Sequence, residues 1–178
     1  NVDVKLINII KSLYRNTQFL VEINGEESEW TQQETGIRQG CPLSPYLFLV
    51  VMTVAFHDIH KEVGQDLIEH RIPGATFDEV LYADDTICVS TDTKTINKVI
   101  KQIEIVGGKY GLKLNKKKCE LLTTELNPDI HFEDKIKIGR KDKVTYLGCE
   151  INMEGDSRKE LSKRISTTML ILKKLDLF

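Results

Sequence analysis

Two adjacent aspartates, Asp84 and Asp85, are the residues whose type and spacing most clearly suggest chemistry in this sequence. They interrupt apolar, strand-forming residues, with Val80-Leu81-Tyr82 before them and Ile87-Cys88-Val89 after them. Neighbouring carboxylates about 4 Å apart repel by about 1 kcal/mol in water and by about 4 kcal/mol at an effective dielectric constant near 20. Mg²⁺ offsets such repulsion, since it is commonly held by one or two carboxylates together with substrate phosphates. The pair therefore indicates a metal site, and a polar β-turn is the alternative, because Asp is also a favoured turn residue.

The strands that must position this pair follow from the hydrophobic pattern. Adjacent side chains on a straight strand face opposite sides, so both carboxylates can approach one ion only at a turn. Residues 79–83 and 86–90 are β-rich runs that meet at the pair, which predicts a β-hairpin with the aspartates at its tip.

Helices and further short strands are predicted on both sides of this hairpin. An amphipathic stripe predicts a helix over 2–14, and Asn24-Gly25 predicts a hairpin turn. A second helix begins at Ser44-Pro45 and ends at Gly64. Further helices are predicted from Asp92 or Thr93 to Gly111 and over 157–175, the last one with Leu161, Ile165, Met169, Leu170 and Leu172 facing inward. Short strands are predicted at 112–115, 120–123, 135–138 and 144–147. Helices mixed with hairpins, without regular βαβ alternation, predict an α+β fold in which helices pack on one face of an antiparallel sheet.

Composition fits one globular core. The chain has 178 residues, 40% of them apolar and 29% charged, which is too short for two ordinary domains and too apolar for wholesale disorder. No apolar stretch reaches the roughly 18 to 20 residues of a membrane span, and no signal peptide opens the sequence. Because the first residue is not Met, we expect a segment of a longer protein.

Charge is distributed unevenly along the chain. Residues 1–107 carry 9 basic and 16 acidic side chains, whereas residues 108–178 carry 16 basic and 11 acidic ones. A basic half can follow a phosphate backbone, although ordinary variation between solvated faces explains the asymmetry equally simply.

Cysteine and histidine spacing argues against other metal sites. The four cysteines lie far apart without a Cys-x-x-Cys pair, which favours reduced thiols in an intracellular protein, in the nucleus or the cytoplasm. We interpret each as a small core residue. His57 and His60 flank Asp58, but with no third ligand nearby they are interpreted as ordinary histidines.

Four motifs in a fixed order give the aspartate pair its context. Residues 36–48 read GIRQGCPLSPYLF, residues 82–85 read YADD, residues 111–119 read GLKLNKKKC, and residues 146–148 read YLG. In that order they resemble the reverse-transcriptase block Gly-x-x-Gln-Gly followed by Ser-Pro-x-Leu-Phe, the polymerase Tyr-x-Asp-Asp hairpin, the next block with Asn-x-x-Lys, and the primer grip. The flanking features most resemble the reverse transcriptases of LINE-like, non-long-terminal-repeat retrotransposons, and the resemblance covers nearly the whole chain.

The resemblance implies a nucleotidyltransferase, an RNA-directed DNA polymerase that uses Mg²⁺ or Mn²⁺. In such enzymes two metal ions roughly 3.5 to 4 Å apart clamp the attacking and leaving oxygens. Asp84 would be the shared metal ligand and Asp85 a supporting one. Lys118 would be a catalytic residue near the triphosphate that donates a proton to pyrophosphate. The alternative for Lys118 is one solvated charge within the run 116–118.

The same resemblance assigns binding residues for the template and the incoming nucleotide. Arg38 and Gln39 would supply hydrogen-bond donors, and Gly40 would permit close backbone approach. Pro42 and Ser44 would complete this group. The simpler interpretation of this segment is a loop before a capped helix, and both can hold together.

Primer-binding residues are implied at two places. Tyr82 and Ala83 would line the primer end beside the aspartates, and Tyr146, Leu147 and Gly148 would hold the primer backbone. A core aromatic is the alternative for Tyr146.

The implied partners are an RNA template, a DNA primer, deoxynucleoside triphosphates and the rest of a parent polyprotein, with no membrane. Residues 1–150 would be a partial palm and residues 151–178 the start of the thumb helix, with the fingers absent. A further metal-binding aspartate would lie before residues 2–14, so we expect the segment alone to be inactive. An inert retroelement remnant and a non-catalytic nucleic-acid-binding module are the alternative functions.

Overall fold

The computed structural model describes residues 2–38, 40–155 and 157–175. The chain divides into two compact units, Asn1–Phe48 and Leu49–Phe178. Helix α1, Val4–Leu13, opens the first unit, and the Oδ1 atom of Asp3 caps it by accepting a hydrogen bond from the Lys5 amide at 2.8 Å. The predicted first helix is therefore confirmed.

Two nested strand pairs follow α1 in the first unit. Strand β1 (Gln18–Phe19) pairs with β4 (Thr31–Gln32), and β2 (Glu22–Ile23) pairs with β3 (Glu26–Glu27). Asn24 and Gly25 form the turn between β2 and β3, with φ angles of 55° and 83°. Positive φ at both central residues is the type I′ pattern that Asn-Gly favours, which confirms the predicted turn.

Helix α2, Ser44–Glu69, begins where the Ser44-Pro45 signal predicts but does not end at Gly64. A glycine inside a helix costs about 1 kcal/mol relative to alanine. Val63 and Leu67, on either side of Gly64, are each only 2% exposed. Burial of a leucine contributes about 1.5–3 kcal/mol, so packing outweighs the local preference of glycine and the predicted end is wrong.

The core of the second unit lies between α2 and helix α3, Thr93–Lys109. It consists of buried apolar side chains of both helices: Ala55, Phe56, Ile59, Val63, Leu67, Val99 and Val106. The carboxylate of Asp92 caps α3 by accepting a hydrogen bond from the Thr95 amide at 2.7 Å. Its start at Asp92 or Thr93 is thus confirmed.

Two β-hairpins accompany these helices. Strand β5 (Glu79–Tyr82) pairs with β6 (Asp85–Cys88), and β7 (Lys143–Tyr146) pairs with β8 (Cys149–Asn152), both antiparallel. Mixed helices and antiparallel strands confirm the α+β class. Among the described residues, however, the strands form separate two-stranded pairs rather than the single sheet that we expected, since each strand hydrogen-bonds only to its own partner.

Three of the predicted short strands do not form. Within residues 110–142 the described strand pairing is limited to isolated bridges, Leu121 with Arg140 and His131 with Lys137. Scattered main-chain hydrogen bonds hold this segment, together with side chains: the Nζ atom of Lys116 lies 2.7 Å from carboxylate oxygens of both Glu104 and Asp134. The fourth predicted strand, 144–147, corresponds to β7.

Helix α4, Ser157–Leu175, has the predicted bounds. Its apolar side chains do not face inward, because five of them are between 51% and 61% exposed: Leu161, Ile165, Met169, Leu170 and Leu172. The hydrogen bonds that join α4 to β8 come from its first two turns, through Glu160 and Arg164. The helical period was therefore correct and the inferred burial was wrong. None of the helices in the described residues combines the length and apolar character that a membrane crossing needs.

Candidate active site

The aspartate pair lies at the tip of the β5–β6 hairpin. Tyr82 and Asp85 are its last paired residues, so Ala83 and Asp84 form a two-residue turn. The pair therefore spans the turn and the first residue of β6, one position away from the predicted tip, because two-residue loops are the favoured hairpin connections. Ala83 has a φ of 51°, a conformation that costs a residue with a side chain about 1–3 kcal/mol.

Both carboxylates at this tip are open to ligands. Asp84 and Asp85 are exposed, as are Ala83 and Tyr82, the latter by 62%. Within the described residues neither carboxylate has a hydrogen-bond or ion-pair partner, so neither is engaged by the protein. A donor set of two adjacent free carboxylates fits a hard cation such as Mg²⁺, which takes oxygen ligands and retains waters. No group of three or more His, Cys, Asp or Glu residues that could hold a metal occurs in that part of the chain.

The lower part of the hairpin rests on α2. Cys88, at the end of β6, packs against the core, and its burial raises the pKa of the thiol to about 12. The Nε2 atom of His60 on α2 lies 2.9 Å from the Oε1 atom of Glu79 at the start of β5. The tip is thus solvent-exposed whereas the base is anchored.

The second hairpin has a two-residue turn like the first, although both of its turn residues have positive φ whereas only Ala83 does in the first. Tyr146 and Cys149 are its last paired residues, and Leu147 and Gly148 form the turn with φ angles of 49° and 77°. Leu147 and Gly148 are exposed. The Oη atom of Tyr146 donates a hydrogen bond to the Val80 carbonyl at 3.5 Å, which brings β7 beside β5. The structure therefore brings one of the predicted primer-grip residues, Tyr146, into contact with the strand that leads to the aspartates.

Cys149 is exposed, so the prediction that it is a core residue is wrong. The Nη2 atom of Arg164 lies 2.7 Å from its Sγ atom, while the Nε atom of Arg164 bonds Glu160 at 2.7 Å. Because the turn at Leu147 and Gly148 reverses the chain at the surface, the first residue of β8 is presented to solvent.

The lysines of the run 116–118 differ in their surroundings. Lys116 bonds Asp134 and Glu104, which raises its pKa, and its Nζ atom lies 5.0 Å from the centre of the Phe132 ring. Lys118 is exposed, and its side chain has no partner among the described residues. No hydrogen bond or ion pair joins Lys118 to Asp84 or Asp85, so its catalytic role stays a prediction.

The predicted template and nucleotide residues lie in the first unit. Ser44 is 1% exposed, and its Oγ atom accepts a hydrogen bond from the Arg38 amide at 3.2 Å and lies 2.7 Å from the Oη atom of Tyr14. The Arg38 guanidinium donates to the Leu13 carbonyl at 3.2 Å. Arg38 and Ser44 are thus brought together, and the buried Ser44 hydroxyl organises the loop.

The remaining members of this group differ in how they are presented. Gly40 has a φ of 79° with no atom within 4 Å of an added Cβ, so the backbone requires glycine conformationally and the surrounding space is open. Pro42 is exposed. Gln39 lies outside the described residues. The binding roles of all these residues stay predictions.

Sequence reasoning missed two features of these units. Hydrogen bonding to Ser44 lowers the pKa of Cys41 to about 7, which no local pattern signals. Arg71 and Asp78 form a two-point ion pair at the base of the β5–β6 hairpin. Hydrogen bonding from the Arg71 guanidinium lowers the pKa of the Asp78 carboxyl below its ordinary value.

Comparison with known proteins agrees with the motifs. Residues 2–151 match the family model described as reverse transcriptase (RNA-dependent DNA polymerase). A similar protein is the retrovirus-related Pol polyprotein from type-1 retrotransposable element R2 of Nasonia vitripennis, with 25% identity over 165 residues. The alignment covers 85% of this chain and 16% of that polyprotein. These matches confirm the resemblance to reverse transcriptases of non-long-terminal-repeat retrotransposons, and the chain belongs to the reverse transcriptase family.

Proposed function

We propose that this chain forms part of an RNA-directed DNA polymerase that adds deoxynucleotides to a primer 3′ end on an RNA template by two-metal-ion nucleotidyl transfer. The observation that carries the proposal is the tip of the β5–β6 hairpin, where Asp84 and Asp85 are adjacent, exposed and free of protein partners among the described residues. Membership of the reverse transcriptase family supports the same reaction class.

The proposed reaction forms one phosphodiester bond and releases pyrophosphate. The primer 3′ oxygen attacks the α-phosphorus of the nucleotide, its proton passes to water, and the bond from that phosphorus to the pyrophosphate oxygen breaks. Asp84 and Asp85 would hold Mg²⁺ or Mn²⁺, with Asp84 the shared ligand. When bound, such ions stabilise the charge on the attacking and leaving oxygens. Lys118, exposed and without a partner in the described residues, would donate a proton to the departing pyrophosphate.

The primer would lie across the two hairpin tips. Tyr82 and Ala83 would line its 3′ end, and Leu147 and Gly148 would contact its backbone. The hydrogen bond from Tyr146 to Val80 supports this arrangement, because it holds the two hairpins side by side. Tyr146 would then position the Leu147-Gly148 turn beside the primer through its phenol, whose hydroxyl already bonds the Val80 carbonyl.

The template and the incoming nucleotide would be met by the loop before α2. Arg38, Gln39 and Gly40 would present backbone and side-chain donors, and Pro42, which has no N–H group, would contribute only contact surface. Ser44 would maintain this loop through its buried hydroxyl, which binds the Arg38 amide.

The domain assignment is part of the proposal. Residues 1–150 would belong to the palm, and residues 151–178 would begin the thumb, with the basic side chains of α4 directed at the primer–template duplex. The chain spans 16% of the length of the R2 polyprotein, which supports a parent polyprotein as the working enzyme.

Primer extension by the polypeptide that carries this domain tests the proposal. Asp84→Asn should reduce the extension rate by more than about 100-fold. Mutation of a residue that only hydrogen-bonds to a metal ligand already lowers metal affinity or activity by about 10–100-fold, and a direct ligand should matter more. Asp142→Asn is the matched control, because Asp142 is an exposed aspartate outside both hairpin tips. Thermal unfolding should show no loss of stability in Asp84→Asn, because the substitution removes a repulsion. An Asp84→Asn protein with full activity would contradict the proposal.

A further inference from the structure

The base of the β5–β6 hairpin is held by an ion pair between the half-buried Arg71 and the buried Asp78. Arg71 lies just beyond the end of α2, and Asp78 directly precedes β5. The Nε atom of Arg71 donates to Oδ1 of Asp78 at 2.6 Å, and its Nη2 atom bonds Oδ2. The Asp78 side chain is 7% exposed. A planar guanidinium bonded to both oxygens of a carboxylate fixes direction as well as distance.

Main-chain bonds tie the same point to both strands. The Asp78 carbonyl accepts a hydrogen bond from the Val89 amide at 2.8 Å, which extends the strand pairing below β5 and β6. The neighbouring His70 carbonyl accepts from the amide and hydroxyl of Thr91 at 2.8 and 3.0 Å, and from the Ser90 hydroxyl at 3.2 Å. The Arg71 side chain therefore holds the chain where it enters β5, and the His70 carbonyl holds it where it leaves β6.

The length of the hairpin makes its tip sensitive to its base. Asp84 is six residues beyond Asp78, which corresponds to about 20 Å along a strand at about 3.3 Å per residue. A rotation of about 3° at the base moves a point at that distance by about 1 Å. A misplacement of about 1 Å can reduce a catalysed rate by about 100-fold. An isolated two-stranded hairpin is at best marginally stable in water. The direction of the β5–β6 hairpin must therefore be set by its contacts with the rest of the second unit.

We propose that Arg71 and Asp78 are positioning residues whose ion pair sets the direction of the β5–β6 hairpin, and through it the location of the Asp84 and Asp85 carboxylates. In this role neither residue would contact the nucleotide or the primer. The inference rests on the proposed function, because it assigns the pair a role in nucleotidyl transfer.

Steady-state primer extension by the polypeptide that carries this domain gives the first test. Arg71→Lys keeps the charge but cannot reproduce the two-point bond, and it should lower kcat by about 10- to 100-fold with the nucleotide KM within about threefold. The matched control is Lys98→Gln, which removes an ion pair between α2 and α3 (Lys98 to Asp66, 2.9 Å) that does not touch the hairpin. It should leave kcat within about twofold.

A double variant separates positioning from simple loss of folding. Arg71→Gln combined with Asp78→Asn leaves no unpaired buried charge, so the fold is retained more readily than with one partner removed. The folded double variant should still show the lowered kcat. A folded double variant with the kcat of the unchanged protein would overturn the inference.

Residual dipolar couplings in this chain alone give a readout that does not depend on activity. The amide vectors of residues 79–88 should rotate relative to those of α2 in Arg71→Lys and remain unchanged in Lys98→Gln. Unchanged couplings in Arg71→Lys would overturn the positioning role. If Asp84→Asn kept full activity, the proposed function would fail, while the couplings would still report whether the pair directs the hairpin.

Discussion

Tyr146 donates a hydrogen bond from its phenol to the Val80 carbonyl, 3.5 Å away, and this contact joins two hairpins of identical turn length. In each hairpin a tyrosine is the last paired residue before the turn: Tyr82 before Ala83-Asp84, and Tyr146 before Leu147-Gly148. One tyrosine is exposed at the tip and the other is turned onto its neighbour. The hydrogen bond thus links the residue before the second turn to the first strand of the other hairpin.

Tyr146→Phe should have a small effect on stability. A hydrogen bond contributes about 0.5–1.5 kcal/mol, and at 3.5 Å the lower end applies. Tyr110→Phe should cost more, about 1.5–3 kcal/mol, because the Tyr110 phenol donates to the Asp58 carboxylate at 2.6 Å. Urea unfolding of both variants measures the difference. Equal losses, or a larger loss for Tyr146→Phe, would contradict the ranking of the two contacts.

Acid should weaken the base of the β5–β6 hairpin. The pKa of Asp78 is lowered in the folded chain by hydrogen bonding to Arg71, so the contribution of Asp78 is present above the unfolded pKa of about 3.9. It is lost as the pH falls through the lower, folded pKa. Asp78→Asn removes this titration. The difference in unfolding free energy between the two proteins, measured from pH 7 down to pH 2, should shrink below about pH 4.

A matched variant checks that the acid effect belongs to Asp78. Asp142→Asn alters an exposed aspartate and should leave the same pH profile as the unchanged chain. A constant difference between Asp78→Asn and the unchanged chain across the whole pH range would count against the ion pair as its source.

Cys41 and Cys88 should react with alkylating reagents at very different pH values. The pKa of Cys41 is lowered to about 7, chiefly by hydrogen bonding to Ser44, so its thiolate appears near neutral pH. Burial raises the pKa of Cys88 to about 12, so Cys88 should stay unmodified in the folded chain. Because the thiolate is the nucleophile, iodoacetamide labelling followed by peptide mass spectrometry should show half-maximal labelling of Cys41 near pH 7.

Ser44→Ala provides the control for that experiment. It removes the first cause of the lowered pKa and should move Cys41 labelling towards higher pH. Labelling of Cys41 that is indifferent to this substitution would show that Ser44 does not stabilise the thiolate.

This chain alone should not extend primers. The resemblance to reverse transcriptases implies a further metal-binding aspartate before residues 2–14, so Asp84 and Asp85 would be an incomplete ligand set. Primer extension with Mg²⁺ by this chain, compared with the polypeptide that carries it, measures the difference. Equal rates would show that the described carboxylates suffice.

Local signals predicted local structure well. Asn24-Gly25 correctly predicted the β2–β3 turn, and Asp92 correctly predicted the start of α3. Both features depend only on neighbouring backbone groups. The aspartate tip was placed within one residue for the same reason. Features set by distant partners were not predicted: Gly64 stays helical because Leu67 is buried, and Arg71 pairs with Asp78 across a loop.

The exposed apolar face of α4 shows what the hydrophobic pattern of a helix does not predict. Its helical period predicted an inward stripe, yet Leu161 and Leu170 are 60% and 61% exposed. Periodicity reports that a face is apolar but does not report whether this chain covers it. The binding roles predicted around Gly40 are limited in the same way. The motif implies a ligand, and no contact within the chain tests those roles.

Manganese-induced broadening of amide signals tests the central claim most directly. In this chain, Mn²⁺ added at low concentration should selectively broaden the amides of residues 82–86, and Mg²⁺ in excess should restore them. Asp84→Asn combined with Asp85→Asn should abolish the effect, and Asp142→Asn should leave it unchanged. Broadening that spares the hairpin tip, or that persists without both carboxylates, would contradict a metal site at Asp84 and Asp85.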